Sequence, residues 1–291
     1  MSVNSNPDTL SVINCALNAP LMLVSVIGNT LVLAAIWRTS ALRSPSIILV
    51  CSLAASDFSV GLVVQPLYIS STITGNPFLF QATFMTGACA TGVSLLIMTA
   101  ISVDRFLALH YHMRYPILMT TQRAMYTSAT LWFISFLLSF LTFWKMSAYY
   151  FVTTVAIAIC LVVSTVCYIR IYRIVRQHQL QIQAQQQALE NNAADNKRTM
   201  LRSTKSAKNT FIYYMVMIVC YTPLFTSMAV LSISHKDWTN AWSLGDTVAF
   251  MNSSINPFLY CWRLRELRTA VIKAARQMFS KQTEENSSIA S

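Results

Sequence analysis

The chain of 291 residues is long enough for two soluble domains, but only 11% of it is charged and 55% is apolar. Soluble proteins carry about 25% charged residues, so this composition excludes a soluble chain and defines a protein that crosses a bilayer several times. The net charge of +11 would suggest nucleic acid in a soluble protein, yet it is concentrated in the links on one side of the membrane, which excludes that partner.

Met1–Asp8 is polar and lacks the basic start of a cleavable signal, so the apolar stretch after residues 1–9 is expected to stay as an anchor. A bilayer core needs about 20 apolar residues per helix. Seven segments within residues 10–262 qualify: Leu10–Trp37, Ser46–Thr72, Phe80–Leu109, Ala124–Trp144, Met146–Ile169, Asn209–His235 and Ala241–Trp262. Residues 263–279 come next, with Leu264, Leu267, Val271, Ile272 and Ala275 on one face and Arg265, Arg268, Lys273 and Arg276 on the other. That pattern reads as a helix lying on the membrane surface, and residues 280–291 form a cytoplasmic tail.

With the N-terminus outside, nineteen of the 21 Lys and Arg fall on inner links and the tail, leaving only Lys145 and Lys236 outside. The outer link between segments four and five is little more than Lys145. The longest link is inner, Arg170–Lys208, with a Gln-rich run from Gln177 to Gln187 that favours extension of segment five, and a basic run Lys197–Lys208 suited to anionic headgroups. The seven cysteines sit in or beside apolar segments without metal-ligand spacing, which reads as packing.

The charge pair Asp104-Arg105 ends segment three, and between Arg43 and Asp104 the only other charged residue is Asp57. Each charge would cost about 2.5–3.5 kcal/mol at the bilayer centre, so the pair belongs at the inner mouth of a helix bundle. Other motifs fall one per segment: Gly28-Asn29, Leu53-Ala54-Ala55-Ser56-Asp57, Trp132, Tyr168, Cys220-Tyr221-Thr222-Pro223, and Asn256-Pro257-Phe258-Leu259-Tyr260. This ordered set resembles the rhodopsin-like (class A) G-protein-coupled receptors, and Arg114-Tyr115-Pro116-Ile117-Leu118-Met119-Thr120 is most similar to their adenosine, melanocortin and histamine branches.

The resemblance implies an all-α membrane protein: a seven-transmembrane helix bundle in the plasma membrane, N-terminus outside, with a short amphipathic surface helix after segment seven. It implies an extracellular ligand, and a heterotrimeric G protein and arrestin as inner partners, with no enzymatic activity. For coupling and activation it points to Asp104, Arg105, Tyr168, Tyr221, Pro223, Asn256, Pro257 and Tyr260. Pro223 and Pro257 remove backbone bonds and kink their helices, so that segment six can swing outward and Arg105 can reach towards Tyr168 and Tyr260. No organic cofactor is implied, but Asp57, Ser94, Asn252 and Asn256 would form a sodium pocket; the alternative is a protonated Asp57 that only ties helices together. The ligand-facing positions carried over are Ala88, Thr91, Tyr221, Trp242 and Asp246.

Departures from the family pattern bear on the ligand and on resting activity. Phe80 stands where a bridging cysteine is usual, so no outer disulfide is expected. Tyr221 replaces a tryptophan, segments four and five lack proline, and Lys197–Lys208 offers Arg105 no acid. Gly87 stands at the amine-binding aspartate position and Phe250 at the retinal lysine position. Asp246, three turns before Pro257, is either hydrated at the rim, paired with Lys236, or the counter-ion of a cationic ligand. A small transporter or channel is the competing class, but it would need several ionisable groups along a path. A membrane enzyme would need a metal cluster or a Ser-His pair, and neither is visible.

Overall fold

The computed structural model describes residues 9–39, 44–188, 193–233, 239–263 and 266–277, and the side chains of all of these except 182–188, 193–210, 239–242 and 263. Helices account for nearly all of it, and no strand occurs among the described residues. In chain order they are α1 (Thr9–Arg38), α2 (Pro45–Ser59), α3 (Gln65–Thr74), α4 (Pro77–His110), α5 (Tyr115–Leu118), α6 (Thr121–Ser139), α7 (Leu141–Trp144), α8 (Met146–Ala188), α9 (Ala193–Ile233) and α10 (Thr239–Arg263), succeeded by α11 over 266–277.

Six spans among the described residues are long and apolar enough to cross a membrane, α2 with α3 and α6 with α7 each counting as one. The seventh, α10, has 25 residues but a more polar composition. Its Thr247, Asn252, Ser253, Ser254 and Asn256 are buried, so the polar groups that dilute its hydropathy face other helices and not lipid. The same inversion holds throughout. Leu23, Ile27, Phe133, Phe143, Phe151 and Val162 are exposed, whereas Asn14, Asn18, Asn29, Asp57 and Gln65 are buried. An apolar outside and a polar seam inside suit a lipid solvent.

The helices close into a ring. α1 packs on α2, α3 and α10; α10 on α9; α9 on α8; α8 on α4; and α6 on both α2 and α4. α4 is the central helix, also touching α9 and α10. α6 is held to it and to α2 by hydroxyls: Ser135 donates to the Cys89 carbonyl at 2.8 Å, and Ser128 and Trp132 reach Ser52 at 2.6 and 2.9 Å.

Two local features depart from plain helical segments. Segment two widens into a π turn over Val60–Val64, where the Gln65 amide bonds the Val60 carbonyl. Pro66 has no N–H, and in a straight helix its ring would meet the Leu62 carbonyl; the wider turn relieves that conflict. The extra residue rotates α3 by about 100° relative to α2, which turns Gln65 and Tyr68 inwards. Segment four breaks at Phe140, between α6 and α7, without Gly or Pro. The turn into α4 is better signalled: Gly75 takes φ 61° to end α3, Pro77 opens α4, and Asn76 caps it by accepting from the Phe78 amide at 2.9 Å.

α8 runs for 43 residues, about 64 Å at 1.5 Å per residue, so it leaves a 30 Å hydrocarbon core well before its end. In α11 the buried stripe is Leu267 and Ala274 with Ala270 and Val271 against the core, while Ile272 is exposed. This differs from the expected apolar face, because spacing of three and four residues from Leu267 selects Ala270, Val271 and Ala274. Leu264 and Arg265 lie outside the described residues.

Candidate functional site

Three polar centres lie along the bundle axis. The outermost is a cavity of about 330 Å³ between the outer ends of the helices. One wall carries hydroxyls from Tyr68, Ser71, Thr72, Thr83 and Ser243; the other carries Phe84, Tyr149, Leu224 and Met228. Its rings are locked against each other, with Phe84 edge-on to Tyr149 at 5.1 Å and Tyr68 edge-on to Phe250 at 6.0 Å. Ala88, Thr91 and Asp246 face this cavity, as does Gly87. Tyr221 lines a smaller adjoining compartment of about 70 Å³ that shares Ala88 and Thr91, and it is fully buried with its hydroxyl 3.4 Å from the Thr91 carbonyl. The Trp242 side chain lies outside the described residues. Among those residues no ion pair or hydrogen bond engages the Asp246 carboxylate.

The outer end of α10 is positioned by amides of α1 and α3 that carry no motif in the sequence. Asn14 donates to Ser243 at 2.7 Å, Asn18 to Thr247 at 3.0 Å, and Gln65 to Asn18 at 3.1 Å, while Tyr68 and Ser243 share a 2.6 Å bond. Ser243 and Thr247 flank Asp246, so this seam fixes the turn that presents the carboxylate. The available signal was three amides in segment one, since a buried amide in a membrane needs partners.

The middle centre is Asp57, fully buried at the end of α2. Ser94 of α4 donates to its Oδ1 at 3.0 Å and Asn256 of α10 to its Oδ2 at 2.7 Å. Ser56 and Ser94 are 2.9 Å apart, and Ser25 of α1 donates to the Asp57 carbonyl at 2.8 Å. Asn252 does not bond Asp57; its Nδ2 lies 3.4 Å from the Met98 sulfur. Among the described residues the side-chain oxygens of Asn252 and Asn256 are both buried and unpartnered. Asn256 is oriented by a carboxylate that only accepts, so its Oδ1 is left as a free acceptor. A carboxylate beside two free amide oxygens is a donor set that fits a hard monovalent cation.

The inner centre is Asp104-Arg105 at the foot of α4. Asp104 is buried, and it accepts from Tyr115 of α5 at 2.6 Å and from Ser46 at the start of α2 at 2.7 Å. Burial first, and then the bond to Asp104, hold the Tyr115 phenol above its ordinary pKa, so it remains a proton donor. The Arg105 Nε is 3.8 Å from Asp104 Oδ2, a loose pairing. Around Arg105 stand Tyr168 of α8 and Tyr213 and Tyr214 of α9. Tyr168 stacks on Tyr214 at 5.0 Å, and Tyr213 on Tyr260 of α10 at 6.0 Å. Ser46, Tyr213 and Tyr214 have no signal in the sequence; their proximity is set by packing between helices distant along the chain. The side chains of Lys197–Lys208 lie outside the described residues. All seven cysteines are free, and Phe80 packs against Phe84 at 6.3 Å.

Pro223 and Pro257 lie inside α9 and α10. The ring of Pro257 meets α1 at Gly28, where an added Cβ would come within 2.9 Å of it. The backbones therefore approach closely only because Gly28 has no side chain.

A ring of seven spans, a cavity open to one side and a charge pair at the other define a membrane receptor. Residues 28–148 and 140–260 match the family described as "7 transmembrane receptor (rhodopsin family)", and the chain belongs to that family. It is a multi-pass plasma-membrane protein of the G-protein-coupled class, which binds extracellular ligands and is not an enzyme. Adenosine receptor A2b of Bos taurus is 26% identical over 289 residues, spanning 87% of this chain and 86% of its own length. Histamine H2 receptor of Rattus norvegicus is 27% identical over 281 residues, spanning 86% and 75%. Adenosine receptor A2b of Canis lupus familiaris is 35% identical over a shorter 133 residues, 44% of this chain and 40% of its own.

Proposed function

We propose that this receptor answers to a small extracellular ligand carrying a positive charge, bound by Asp246. The observation that carries the reading is a carboxylate facing an aromatic-walled cavity with no counter-ion among the described residues. A desolvated carboxylate needs a cation, and ring faces add cation–π attraction of about 0.5–2 kcal/mol. Ala88 and Thr91 line the same cavity, and Tyr221 senses the ligand from the adjoining compartment.

Ligand binding favours a packing in which the inner half of α9 swings outward about Pro223. That motion separates the Tyr213–Tyr260 and Tyr168–Tyr214 stacks and lets Arg105 leave Asp104. Tyr260 turns inward as α10 loosens at Asn256-Pro257, and the cleft takes a helix of a heterotrimeric G protein, with arrestin using the same face. In the resting packing Asp57, Ser94, Asn252 and Asn256 hold a sodium ion, whose charge would offset the buried carboxylate. α11 lies along the inner leaflet with Arg268, Lys273 and Arg276 towards the headgroups.

The test is a panel of small amines, histamine included, against adenosine as a neutral comparator, read by G-protein signalling in cells. Asp246→Asn should weaken an active amine by about 1.5–3 kcal/mol, roughly 10- to 150-fold. A response confined to uncharged ligands, or an unchanged amine potency in Asp246→Asn, refutes the assignment.

A further inference from the structure

Arg105 has one face without a partner. Its Nε is buried and makes no hydrogen bond among the described residues, with Asp104 too distant at 3.8 Å. On α8, Ser164 is 1% exposed and its Oγ is likewise unpartnered. Helix hydroxyls in this bundle normally bond the carbonyl four residues back, as Thr165 does to Leu161 at 2.6 Å and Thr154 to Tyr150 at 2.7 Å. Ser164 does not. Both groups line one cavity of about 20 Å³ between α4, α8 and α9, otherwise walled by Met98, Ile101, Ile171, Met217, tyrosine rings and Ser102, whose hydroxyl is engaged with the Met98 carbonyl at 3.0 Å.

The volume decides what fits. One water needs about 10–15 Å³ by this measure, so the cavity holds a single water and no organic ligand. The donor set agrees: Nε–H only donates, and a serine hydroxyl both donates and accepts. We propose that a single buried water occupies this cavity, accepting from Arg105 Nε and bonding Ser164 Oγ, and so ties α4 to α8 in the resting receptor. Outward movement of α9 removes Met217 and Tyr213 from the wall, opens the cavity to solvent and releases Arg105. The inference rests on the coupling role given to Arg105 above, and it makes Ser164 a positioning residue for that arginine.

The experiment compares Ser164→Thr with Ser164→Val in the full-length receptor, two side chains of one shape that differ in the hydroxyl. At matched surface expression, Val should raise ligand-independent G-protein signalling about three- to tenfold over Thr and the parent, as expected when part of a charge-assisted bond is lost from the resting state alone. In purified receptor reconstituted in lipid, Val should also unfold at a lower temperature than Thr. Equal unfolding temperatures overturn the water, and a difference in unfolding without one in signalling overturns its hold on Arg105. Replacing chloride by gluconate should change neither readout; a shift in the parent that Val lacks would make the occupant an anion and overturn the proposal. If Arg105→Ala still couples, the underlying reading fails, while the Thr–Val unfolding comparison still decides whether the water is there.

Discussion

Asp57→Asn separates charge from hydrogen bonding at the middle of the bundle. The asparagine can keep both partners, its Oδ1 accepting from Asn256 and its Nδ2 donating to Ser94, which stand 2.7 and 3.0 Å from the native carboxylate oxygens. The variant should therefore fold and reach the surface. What it loses is the charge: at an effective dielectric of about 20, a carboxylate about 4 Å from a cation contributes about 4 kcal/mol, close to a thousandfold in affinity. For the parent, sodium at ten times its dissociation constant adds about 1.4 kcal/mol, or about 2 °C in unfolding temperature for a chain of this size. The assay is thermal unfolding of purified receptor in sodium chloride against choline chloride at equal ionic strength. The parent should show the shift and Asp57→Asn should not. An equal sodium shift in the variant, or a parent shift that choline reproduces, would refute the cation site.

Two further outcomes are expected. Arg105→Ala should abolish G-protein coupling at near-normal surface expression, measured by second-messenger output against surface labelling; undiminished signalling would remove Arg105 from the coupling step. Gly28→Val should lower the unfolding temperature by several degrees, because even its Cβ would sit 2.9 Å from the Pro257 ring and overpacking costs about 1–3 kcal/mol; an unchanged midpoint would show that α1 and α10 yield without cost.

Six segments were legible from their long apolar runs and the seventh, diluted by buried polar groups, from its length and its Asn256-Pro257-Phe258-Leu259-Tyr260 motif. Asp57, Ser94 and Asn256 could be grouped because the family resemblance sets one motif per helix. The structure brings those three together. The partners of Asp104 were not legible. Tyr115 stands out in the sequence only as part of a motif, and Ser46 lies 58 positions away from Asp104, joined to it by helix packing alone. The π turn had a signal in Pro66, which removes a helical donor, but choosing between a kink and a wider turn needs the neighbouring backbones. Gly61 supplies them: an added Cβ would come within 3.0 Å of Ser25 and Val26 and 3.1 Å of the Met22 carbonyl. The break at Phe140 has no residue-level cue, and the structure offers no physical account of it.

The three carboxylates on the bundle axis are handled in three ways, and the contrast explains how an outer event can reach the inner mouth. Asp104 is caged by two hydroxyls and Asp57 by a hydroxyl and an amide, whereas Asp246 faces the cavity without a partner among the described residues. Of the three, only Asp246 faces the outer cavity from which an extracellular ligand arrives. α10 carries Asp246, Asn252, Asn256, Pro257 and Tyr260 on one element, fifteen residues from first to last, about 21 Å along the helix. In the proposed mechanism a pull on its outer end would bear on the Asp57 centre through Asn256 and on α9 through the Tyr213–Tyr260 stack, the contacts that join them. Coupling of this kind needs an element with two packings that both sites bias. In the mechanism proposed above, Pro257 gives α10 a point at which it can bend, and the amide seam from α1 and α3 anchors its outer end.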